Sequence, residues 1–507
     1  MTSSVASLSF FCLLVLLLPA PHGASSHASY KQGSRQIFSR TSGRSSGNSQ
    51  QASSVSTATT CSSLATGLGN NKVPVVHRQS PCSQLHGLPS LTAADVLRRD
   101  ATLIWRRFSS QSSLVAALAP SPAVAALGPS PAATVLAPSP AATIIPANGS
   151  SDPRTLPGAL DYSVLVNYGT PEQQFPVFLD TSSVGASMLR CKPCASGSND
   201  CDPAFDTSQS STFANVLCGS PDCPTNCSGG SFCPLDGIYS VINGTFAEDV
   251  LALAPSTAIN NFKFVCLNVS KPDDQPVAGT LDLSRDRNSL PSQLSSSGQA
   301  PAAAFSYCLP KSPSSQGFLS LGVNATVKDD NVTAHAPLVS NGDPELASMY
   351  FIDLVGMCLG DEDLPIPVGT FGSNGTNLDV GTTFTMLAPD AYTALSNSFQ
   401  KQMSQYNFSS PGIGGFDTCF NFTDLNDLVI PNVQFKFSNG DILEIHADQM
   451  LYYDDTDAAP FTMACLAFSS LDAGDSFSAV IGSYTLATTE VVYNVAGGEV
   501  GFIPWSC

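Results

Sequence analysis

Two short stretches of this chain share one pattern. Residues 178–183 read FLDTSS, and residues 378–383 read LDVGTT. Each places an aspartate, Asp180 or Asp379, after an apolar residue and before small or hydroxyl residues. A single Asp-Thr-Ser carries no information alone. The question is therefore whether the two aspartates are halves of one catalytic site or two unrelated loop residues.

Composition and charge limit the classes of partner. The chain has 507 residues, of which 43% are hydrophobic, and a formal net charge of −19. This predicts more than one domain and argues against nucleic acid, whose binding needs clustered Lys and Arg. Residues 1–155 nevertheless carry 11 of the 21 Lys and Arg and only 3 of the 40 Asp and Glu. Such a basic front can dock on the acidic body; a disordered basic leader without a partner is the alternative.

The N-terminus is typical of a secretory signal. Residues 8–18 read LSFFCLLVLLL, an apolar run that is too short to span a bilayer. We therefore predict a signal peptide at 1–24 and, because no later stretch is long and apolar enough, no membrane span. Nine Asn-Xaa-Ser/Thr sequons agree with a secretory route. The sequence leaves open whether the destination is the extracellular space or cell wall, or the vacuole.

Three kinds of segment follow the signal peptide. Residues 25–71 are rich in Ser, Gly and Gln and are expected to be disordered. Residues 72–117 include SLTAADVLRRDATLIWRRF, whose apolar residues have helical spacing after a Thr or Ser cap. We predict that 25–117 is a pro-segment with a basic helical second part; a helix on a membrane surface is the alternative. The Pro-rich repeats of residues 118–155 predict an extended linker.

The residue pattern in the rest of the chain is typical of a β protein. Short runs rich in Val, Phe, Tyr and Leu alternate with Gly, Asn, Asp, Ser and Pro clusters, as in DYSVLVNYG and VQFKFSNGDILEI. The turns SNGD and AGGE lie between alternating strands and predict hairpins. The clearest helix is residues 389–405, which begins with Pro and Asp.

The cysteines predict disulfides. Thirteen of them lie between Cys191 and Cys507, after a signal peptide. The sequence CKPC at 191–194 could instead be half of a zinc site, but His335 and His446 are not spaced as ligands beside it. We therefore expect disulfides and no metal, and the odd number leaves one thiol over.

An ordered series of motifs resembles one family. VPVVHRQSPCS and ADVLRRD look like a pro-segment, and LDYSVLVNYGTPEQQFPVFLDTSS looks like a first strand leading into a catalytic loop. CKPC, FDTSQSSTF, LPSQL, FSYCLP, NLDVGTTFTMLAPDAYTAL, FDTCFNF, ACLAF and VIGSYTLATTEVVYNVAGGEVGFIPWSC follow in the same order. From about residue 72 to the C-terminus, the chain resembles the plant nepenthesin-like group of pepsin-type aspartic proteases.

This resemblance implies an all-β, bilobal fold with two related lobes around a cleft, an N-terminal lobe at 156–335 and a C-terminal lobe at 336–507. It implies a monomer without cofactor or metal, whose partners are a protein or peptide substrate and its own pro-segment. Asp180 and Asp379 would be the catalytic pair. The residues implied to support the two loops are Thr181, Ser182, Ser183, Gly381 and Thr382.

Disulfide pairing also follows from the resemblance. It implies that Cys308 pairs with Cys507 and Cys419 with Cys465. Cys358 lies where the group usually has another residue, so we expect it to be the remaining thiol.

Several positions depart from the family pattern. Val380 replaces a hydroxyl residue that should bind the opposite loop, which leaves a buried donor without that partner at a cost of about 1–3 kcal/mol. Ser182 stands in place of a Gly, a change that we expect to be tolerated. Asp282 also replaces a Gly, beneath the first aspartate, whereas Gly482 keeps the matching position of the second lobe.

The flap departs as well. In active relatives a Tyr on a hairpin closes over the substrate and bonds a Trp that follows the first aspartate. No Trp lies between Asp180 and Cys191. Alignment places Asp236 at the Tyr position, with Tyr239 three residues away.

Three functions remain to be weighed. The favoured one is a secreted aspartic endopeptidase, made as a zymogen and active at acid pH, whose basic pro-segment detaches as carboxylates of the body become protonated. The second is a catalytically inert binder on the same scaffold, such as a plant xylanase inhibitor. A cell-wall structural glycoprotein, the third, would leave the patterned β body unexplained.

Overall fold

The computed structural model describes much of the chain beyond residue 161 and three segments before it. The described residues are 35–39, 72–85, 91–104, 162–182, 185–194, 201–223, 227, 231–234, 244–253, 257–268, 277–298, 303–311, 315–322, 332–372, 375–409, 411–423, 425, 427–453, 463–472, 475 and 477–507. The predicted signal peptide and linker, Ser183, and the flap positions Asp236 and Tyr239 lie outside these ranges.

Strands dominate the described residues. Up to residue 321 they are β1 (Arg35–Ser39), β2 (Lys72–His77), β3 (Tyr162–Tyr168), β4 (Gln173–Asp180), β5 (Met188–Lys192), β6 (Phe205–Asp206), β7 (Ala214–Asn215), β8 (Gly244–Leu253), β9 (Thr257–Leu267), β10 (Gly279–Asp282), β11 (Phe305–Cys308) and β12 (Gly317–Leu321).

The later strands belong to the second lobe and the sheet between the lobes. They are β13 (Ala334–Val339), β14 (Phe351–Ile352), β15 (Leu354–Leu359), β16 (Glu362–Asp363), β17 (Thr376–Leu378), β18 (Thr385–Leu387), β19 (Asn407–Ser409), β20 (Cys419–Asn421), β21 (Asp427–Pro431), β22 (Val433–Phe437), β23 (Ile442–Ile445), β24 (Leu451–Tyr453), β25 (Met463–Leu466), β26 (Phe468–Ser470), β27 (Ala479–Ile481), β28 (Glu490–Asn494) and β29 (Glu499–Ile503).

Helices are few in the described ranges. They are α1 (93–104), α2 (Leu290–Ser296), α3 (Pro389–Gln402) and α4 (Ala447–Met450), with short 3-10 helices at Thr207–Gln209 and Pro344–Leu346. Helix α3 has Pro389 in its first turn and buries Ala391, Ala394, Leu395 and Phe399. This spacing puts the buried residues on one face of the helix. The helix predicted over 389–405 is confirmed and ends three residues earlier.

One antiparallel sheet joins the two halves of the chain. Its strands run in the order β2, β12, β11, β28, β29, β13. Strands β11 and β12 come from the first half of the body and β28 and β29 from its end, so each lobe contributes to the sheet. Strand β2, from the predicted pro-segment, pairs with β12 of this sheet and with β3 of the first lobe.

Each lobe then repeats one arrangement. In the first lobe β4 runs parallel to β10, with Asp180 opposite Asp282. In the second lobe β17 runs parallel to β27, with Leu378 opposite Ile481. Strand β4 is buried from Phe175 onward and β17 along its whole length. Asp180 therefore ends a buried strand segment and Asp379 follows one, and the predicted all-β bilobal fold is confirmed.

The N-terminal region differs from expectation in two places. Residues 35–39, inside the stretch expected to be disordered, form β1 and pair antiparallel with β21. Ile37 and Phe38 favour strands, and β21 offers them a backbone to pair with. Residues 72–77, inside the stretch expected to be helical, form β2, because the edge of β12 accepts a further strand. In the parts of the chain described, no helix is both long and apolar enough to cross a membrane.

The disulfides follow the sequence expectation. Cys308 pairs with Cys507, and Cys419 pairs with Cys465, as the resemblance implied. The other described pairs are Cys191–Cys266, Cys194–Cys201, Cys218–Cys227 and Cys223–Cys233. Both cysteines of CKPC are therefore disulfide-bonded. Among the described residues, Cys358 forms no disulfide; it is buried, and its thiol donates to Asp363 Oδ1 at 3.0 Å.

Candidate active site

The two aspartates stand in matching settings. Asp180 and Asp379 have 0% and 1% of their surface exposed. The N–H of Ser182 donates to Asp180 Oδ1 at 2.9 Å, and the N–H of Gly381 donates to Asp379 Oδ1 at the same distance. Each carboxyl group is thus held by the backbone two residues further along, in a tight loop that begins where a buried strand ends.

A threonine side chain joins the two loops. The hydroxyl of Thr181 accepts a hydrogen bond from the N–H of Val380 at 3.0 Å. The same hydroxyl donates to the carbonyl oxygen of Leu378 at 3.3 Å. These atoms flank Asp379 on both sides, so the structure brings the two aspartate-bearing loops into direct contact. Val380 has no hydroxyl with which to form the reciprocal bond.

The other predicted support residues differ in how they contact the aspartates. Thr382 Oγ1 donates to Asp379 Oδ2 at 2.7 Å, so this hydroxyl binds the second carboxyl group directly. Ser182 and Gly381 contribute the backbone donors already described. Ser183 lies outside the described residues, and so does the corresponding contact of the first loop.

The strand that passes beneath each loop differs between the lobes. A Cβ at Gly482 would lie 2.5 Å from the carbonyl oxygen of Thr383, so this position requires glycine. In the first lobe Asp282 occupies the equivalent place with 0% exposure. Its Oδ1 accepts from the N–H of Ser284 at 2.7 Å. Burial raises the pKa of Asp282 to about 8, despite the opposing bonds from Ser284, and the charge of Asp180 raises it further.

Helix α1 lies against the second loop. Thr92 caps the helix by accepting from the N–H of Asp95, as the sequence predicted. Asp100 is fully buried, and its Oδ2 accepts from the N–H of Thr383 at 2.7 Å. Arg99 Nη1 donates to the carbonyl oxygen of Gly381 at 3.1 Å and pairs with Asp100 Oδ1. Residues 99 and 100 therefore hold the backbone of the loop that carries Asp379.

The titration of Asp100 is shifted by these surroundings. Burial raises its pKa to about 6, although the Arg99 guanidinium and the N–H of Thr383 favour the ionised form, and the charge of Asp379 raises it further. The hydrogen bonds to Gly381 and Thr383 place Arg99 and Asp100 of α1 at the loop that carries Asp379.

Three residues of this region were not identified from the sequence. Arg99 and Asp100 were read as parts of a basic helix and of the pro-segment motif ADVLRRD, without a role at the site. Asn377, a buried polar residue in β17, was not singled out; its Nδ2 donates to Ser182 Oγ at 3.3 Å. A signal for Asn377 was present, because the matching position before Asp180 is the apolar Phe178. No sequence signal identifies the loop that Asp100 binds.

Two family descriptions match the body of the chain. "Xylanase inhibitor N-terminal" matches residues 162–323 and "Xylanase inhibitor C-terminal" matches residues 349–504. The first range contains Asp180 and the second contains Asp379.

Solved structures agree on the fold. The protein of the "Crystal structure of edgp" covers 68% of this chain and 92% of its own, with a TM-score of 0.55 and 20% identity. Basic 7S globulin from soybean covers 68% and 91%, with a TM-score of 0.54 and 21% identity.

Curated plant proteins are similar over most of their length. An aspartyl protease family protein of Arabidopsis thaliana is 34% identical over 373 residues, which are 71% of this chain and 74% of the relative. Aspartyl protease AED1 of the same plant is 30% identical over 85% of this chain and 86% of its own. Aspartic proteinase nepenthesin-1 of Nepenthes gracilis is 31% identical over 71% and 82%. Because these relatives are at least 30% identical over more than two thirds of both chains, the chain belongs to the plant nepenthesin-like family of pepsin-type aspartyl proteases.

Proposed function

We propose that this protein is a working aspartic endopeptidase that hydrolyses peptide bonds at acid pH with Asp180 and Asp379 as its catalytic pair. The observation that carries the proposal is the bridge made by Thr181, which holds the two loops together on both sides of Asp379. Each aspartate is buried, and each is oriented by the same backbone donor two residues on. A pair of loop aspartates without a shared function would not need this repeated arrangement.

The chemistry follows from the behaviour of two neighbouring carboxyl groups. Two carboxylates about 3 Å apart cannot both ionise, so such a pair shares a proton and titrates as a unit. The ionised member takes a proton from a bound water, which attacks the carbonyl carbon of the scissile peptide. The protonated member donates a hydrogen bond to the carbonyl oxygen. In this scheme Thr382 and the N–H groups of Ser182 and Gly381 keep the carboxyl groups in position.

Helix α1 fits the role of an inhibitory pro-segment. It binds the backbone of Gly381 and Thr383 through Arg99 and Asp100. Its apolar residues Ala93 and Val96 belong to a buried cluster that includes Phe384 of the second lobe. We infer that the helix must leave, or be cut away, before substrate can reach the site.

Secretion and assembly are parts of the same proposal. Disulfides such as Cys308–Cys507 persist in oxidising compartments, which supports the secretory pathway. We propose that the signal peptide at 1–24 directs the chain to this route and that the glycosylated product acts as a monomer, outside the cell or in the vacuole.

A second candidate is an inert binder that recognises another protein, such as a glycosidase. The observation that favours it is Val380, which removes one of the two hydroxyls expected to join the loops. The descriptions of the matched families, xylanase inhibitor N-terminal and C-terminal, agree with this alternative. The retention of both aspartates in matched, buried settings supports the peptidase instead.

The test is cleavage of an unstructured protein at pH 3–5, after removal of residues before the body. Wild type is compared with Asp180→Asn, with and without a pepstatin-type inhibitor. We expect cleavage by wild type that is abolished by the substitution and by the inhibitor. Absence of turnover, together with tight binding of a xylanase, would establish the binder in its place.

A further inference from the structure

The two aspartate loops differ at three matched positions. Counting from each aspartate, Thr181 corresponds to Val380, Ser182 to Gly381, and Phe178 to Asn377. At the first two positions the first loop has a hydroxyl side chain and the second loop has none. The second lobe instead has an amide where the first has an aromatic ring.

The side chains at these positions meet across the lobes. Asn377 Nδ2 donates to Ser182 Oγ at 3.3 Å, and both residues are fully buried. Thr181 reaches the backbone of residues 378 and 380 from the same loop. Two consecutive hydroxyls of the first lobe therefore bind three groups of the second lobe.

The hydrogen bond to Ser182 offsets the free-energy cost of burying the Asn377 side chain. A buried amide costs free energy unless its polar atoms form hydrogen bonds. Within the described part of the chain, Asn377 Oδ1 has no hydrogen-bond partner. The Nδ2 bond to Ser182 is thus the side-chain hydrogen bond that offsets the burial of this amide in β17.

Ser182 connects the amide to the catalytic carboxyl group. Its N–H donates to Asp180 Oδ1 at 2.9 Å, while its hydroxyl accepts from Asn377. A movement of Ser182 would therefore displace the donor that orients Asp180. Bonds of this kind are stronger in a buried site than in water, because the local dielectric is low.

We propose that Asn377 and Ser182 form a second lock between the lobes, which replaces the link lost at Val380, and that Asn377 is a positioning residue for Asp180. The proposal rests on the peptidase function proposed above. It assigns Ser182 an active role, beyond being tolerated in place of glycine.

The test combines the lock with a restored hydroxyl. Asn377→Leu and Ser182→Ala are made singly and together, each with Val380 and with Val380→Thr. The control is Thr376→Val, one residue along the same strand, whose buried hydroxyl has no hydrogen-bond partner in the described chain. The measurements are kcat and KM for a peptide substrate, the pH profile of kcat/KM, and the midpoint of thermal unfolding at acid pH.

We expect each single substitution to lower kcat about tenfold with little change in KM, since one hydrogen bond of this kind is worth about that factor. The kcat of the double variant should be no lower than that of either single variant, because both substitutions remove the same hydrogen bond. Val380→Thr should restore most of the activity, and the acidic limb of the pH profile should return with it. Thr376→Val should leave kcat within twofold.

Multiplying losses in the double variant, or failure of Val380→Thr to restore activity, would overturn the proposal. Thermal unfolding gives a second result that does not need activity. We expect the single variants and the double variant to lower Tm by a similar amount, about 2 °C. If no variant cleaves peptide but this coupling is found, the lock stands and the peptidase function fails; additive Tm losses overturn the lock itself.

Discussion

Asp282, which lies beside Asp180, has a carboxyl group with a strongly raised pKa. It is buried opposite Asp180 on the neighbouring parallel strand. Its pKa is raised by burial from 3.8 to about 8, so the folded protein holds a proton there that the unfolded chain releases above about pH 4. The folded state is therefore favoured at acid pH and loses this advantage as pH rises through 8.

Asp282→Asn should remove that dependence. We expect the variant to match wild type near pH 4 and to be more stable at pH 7–8, with a difference that grows by at most about 1.4 kcal/mol per pH unit. Thermal unfolding from pH 4 to pH 8 measures it. Asp390→Asn, at an exposed carboxylate in the first turn of α3, is the control and should give no gain at neutral pH. Equal stability of wild type and Asp282→Asn at every pH would contradict the account.

Candidate site residues could be named from the sequence where a pattern was repeated. Asp180 and Asp379 could be singled out because each follows an apolar strand and begins a run of small residues. The sequence also identified Val380 and Asp282 as departures. It could not show that Ser182 meets Asn377, because 195 residues separate them and only the paired lobes bring them together.

Helix α1 is the element that contacts the loop carrying Asp379. Its cap, its spacing and its basic character were readable from residues 92–108, and the structure confirms the cap at Thr92. The contact with the loop of Asp379 was not readable, because it comes from Arg99 and Asp100, whose partners lie more than 280 residues away.

Loss of the α1 contact should activate the intact chain. We expect Asp100→Ala to raise the peptidase rate of the unprocessed protein several-fold, since it removes the acceptor for the N–H of Thr383 and leaves Arg99 less anchored. Cleavage of a short peptide by the uncut chain measures it. Arg98→Ala is the matched control, because Arg98 is exposed and pairs within the helix with Asp95. An equal rate for Asp100→Ala and wild type would show that α1 does not obstruct the site.

The pH dependence of this contact follows from the raised pKa of Asp100. Its value is about 6 in the docked helix against an ordinary 3.8, so docking is favoured below about pH 4 and weakens as pH rises through 6. This sign opposes the acid-driven detachment expected from net charge. If the proposed peptidase is activated by acid, cleavage of the segment or the protonation of other carboxylates must release it.

Hydrogen exchange can detect that dependence. Protection factors of residues 93–104 should be higher at pH 4 than at pH 7 in the intact chain, and Asp100→Asn should reduce the difference. Helix α3 of the second lobe, whose Asp379 loop α1 contacts, serves as the internal reference for protection. Higher protection of α1 at pH 7 than at pH 4 in wild type would contradict the assigned sign.

At the scale of the whole molecule, one disulfide closes the sheet between the lobes. Cys308 ends β11 and Cys507 ends the chain after β29, a sequence separation of 199. Closing so long a loop restricts the unfolded chain, and the expected stabilisation is about 5 kcal/mol. Replacing both cysteines by Ala should lower Tm far more than replacing Cys194 and Cys201, which are 7 residues apart. Equal losses for the two pairs would contradict this reasoning.

The general architecture was predictable because several signals agreed. Strand patterns, turn residues, cysteines and the ordered motifs all indicated two related β lobes. Strand β1 was missed because the polar composition of residues 25–71 as a whole predicts disorder. Its five residues pair with β21, some four hundred positions away. Long-range pairing of this kind depends on which strand edge is available, and local sequence does not record it.

Substitution of Asp180 and Asp379, singly and together, tests whether the two carboxyl groups act as one catalytic pair. Asp180→Asn, Asp379→Asn and the double variant are compared with wild type for kcat at acid pH, after removal of the N-terminal segment. We predict that kcat falls at least about a thousandfold in each single variant and no further in the double variant. Either substitution alone removes the pair of carboxyl groups that shares the proton. Residual cleavage in either single variant, with losses that multiply in the double variant, would contradict the claim.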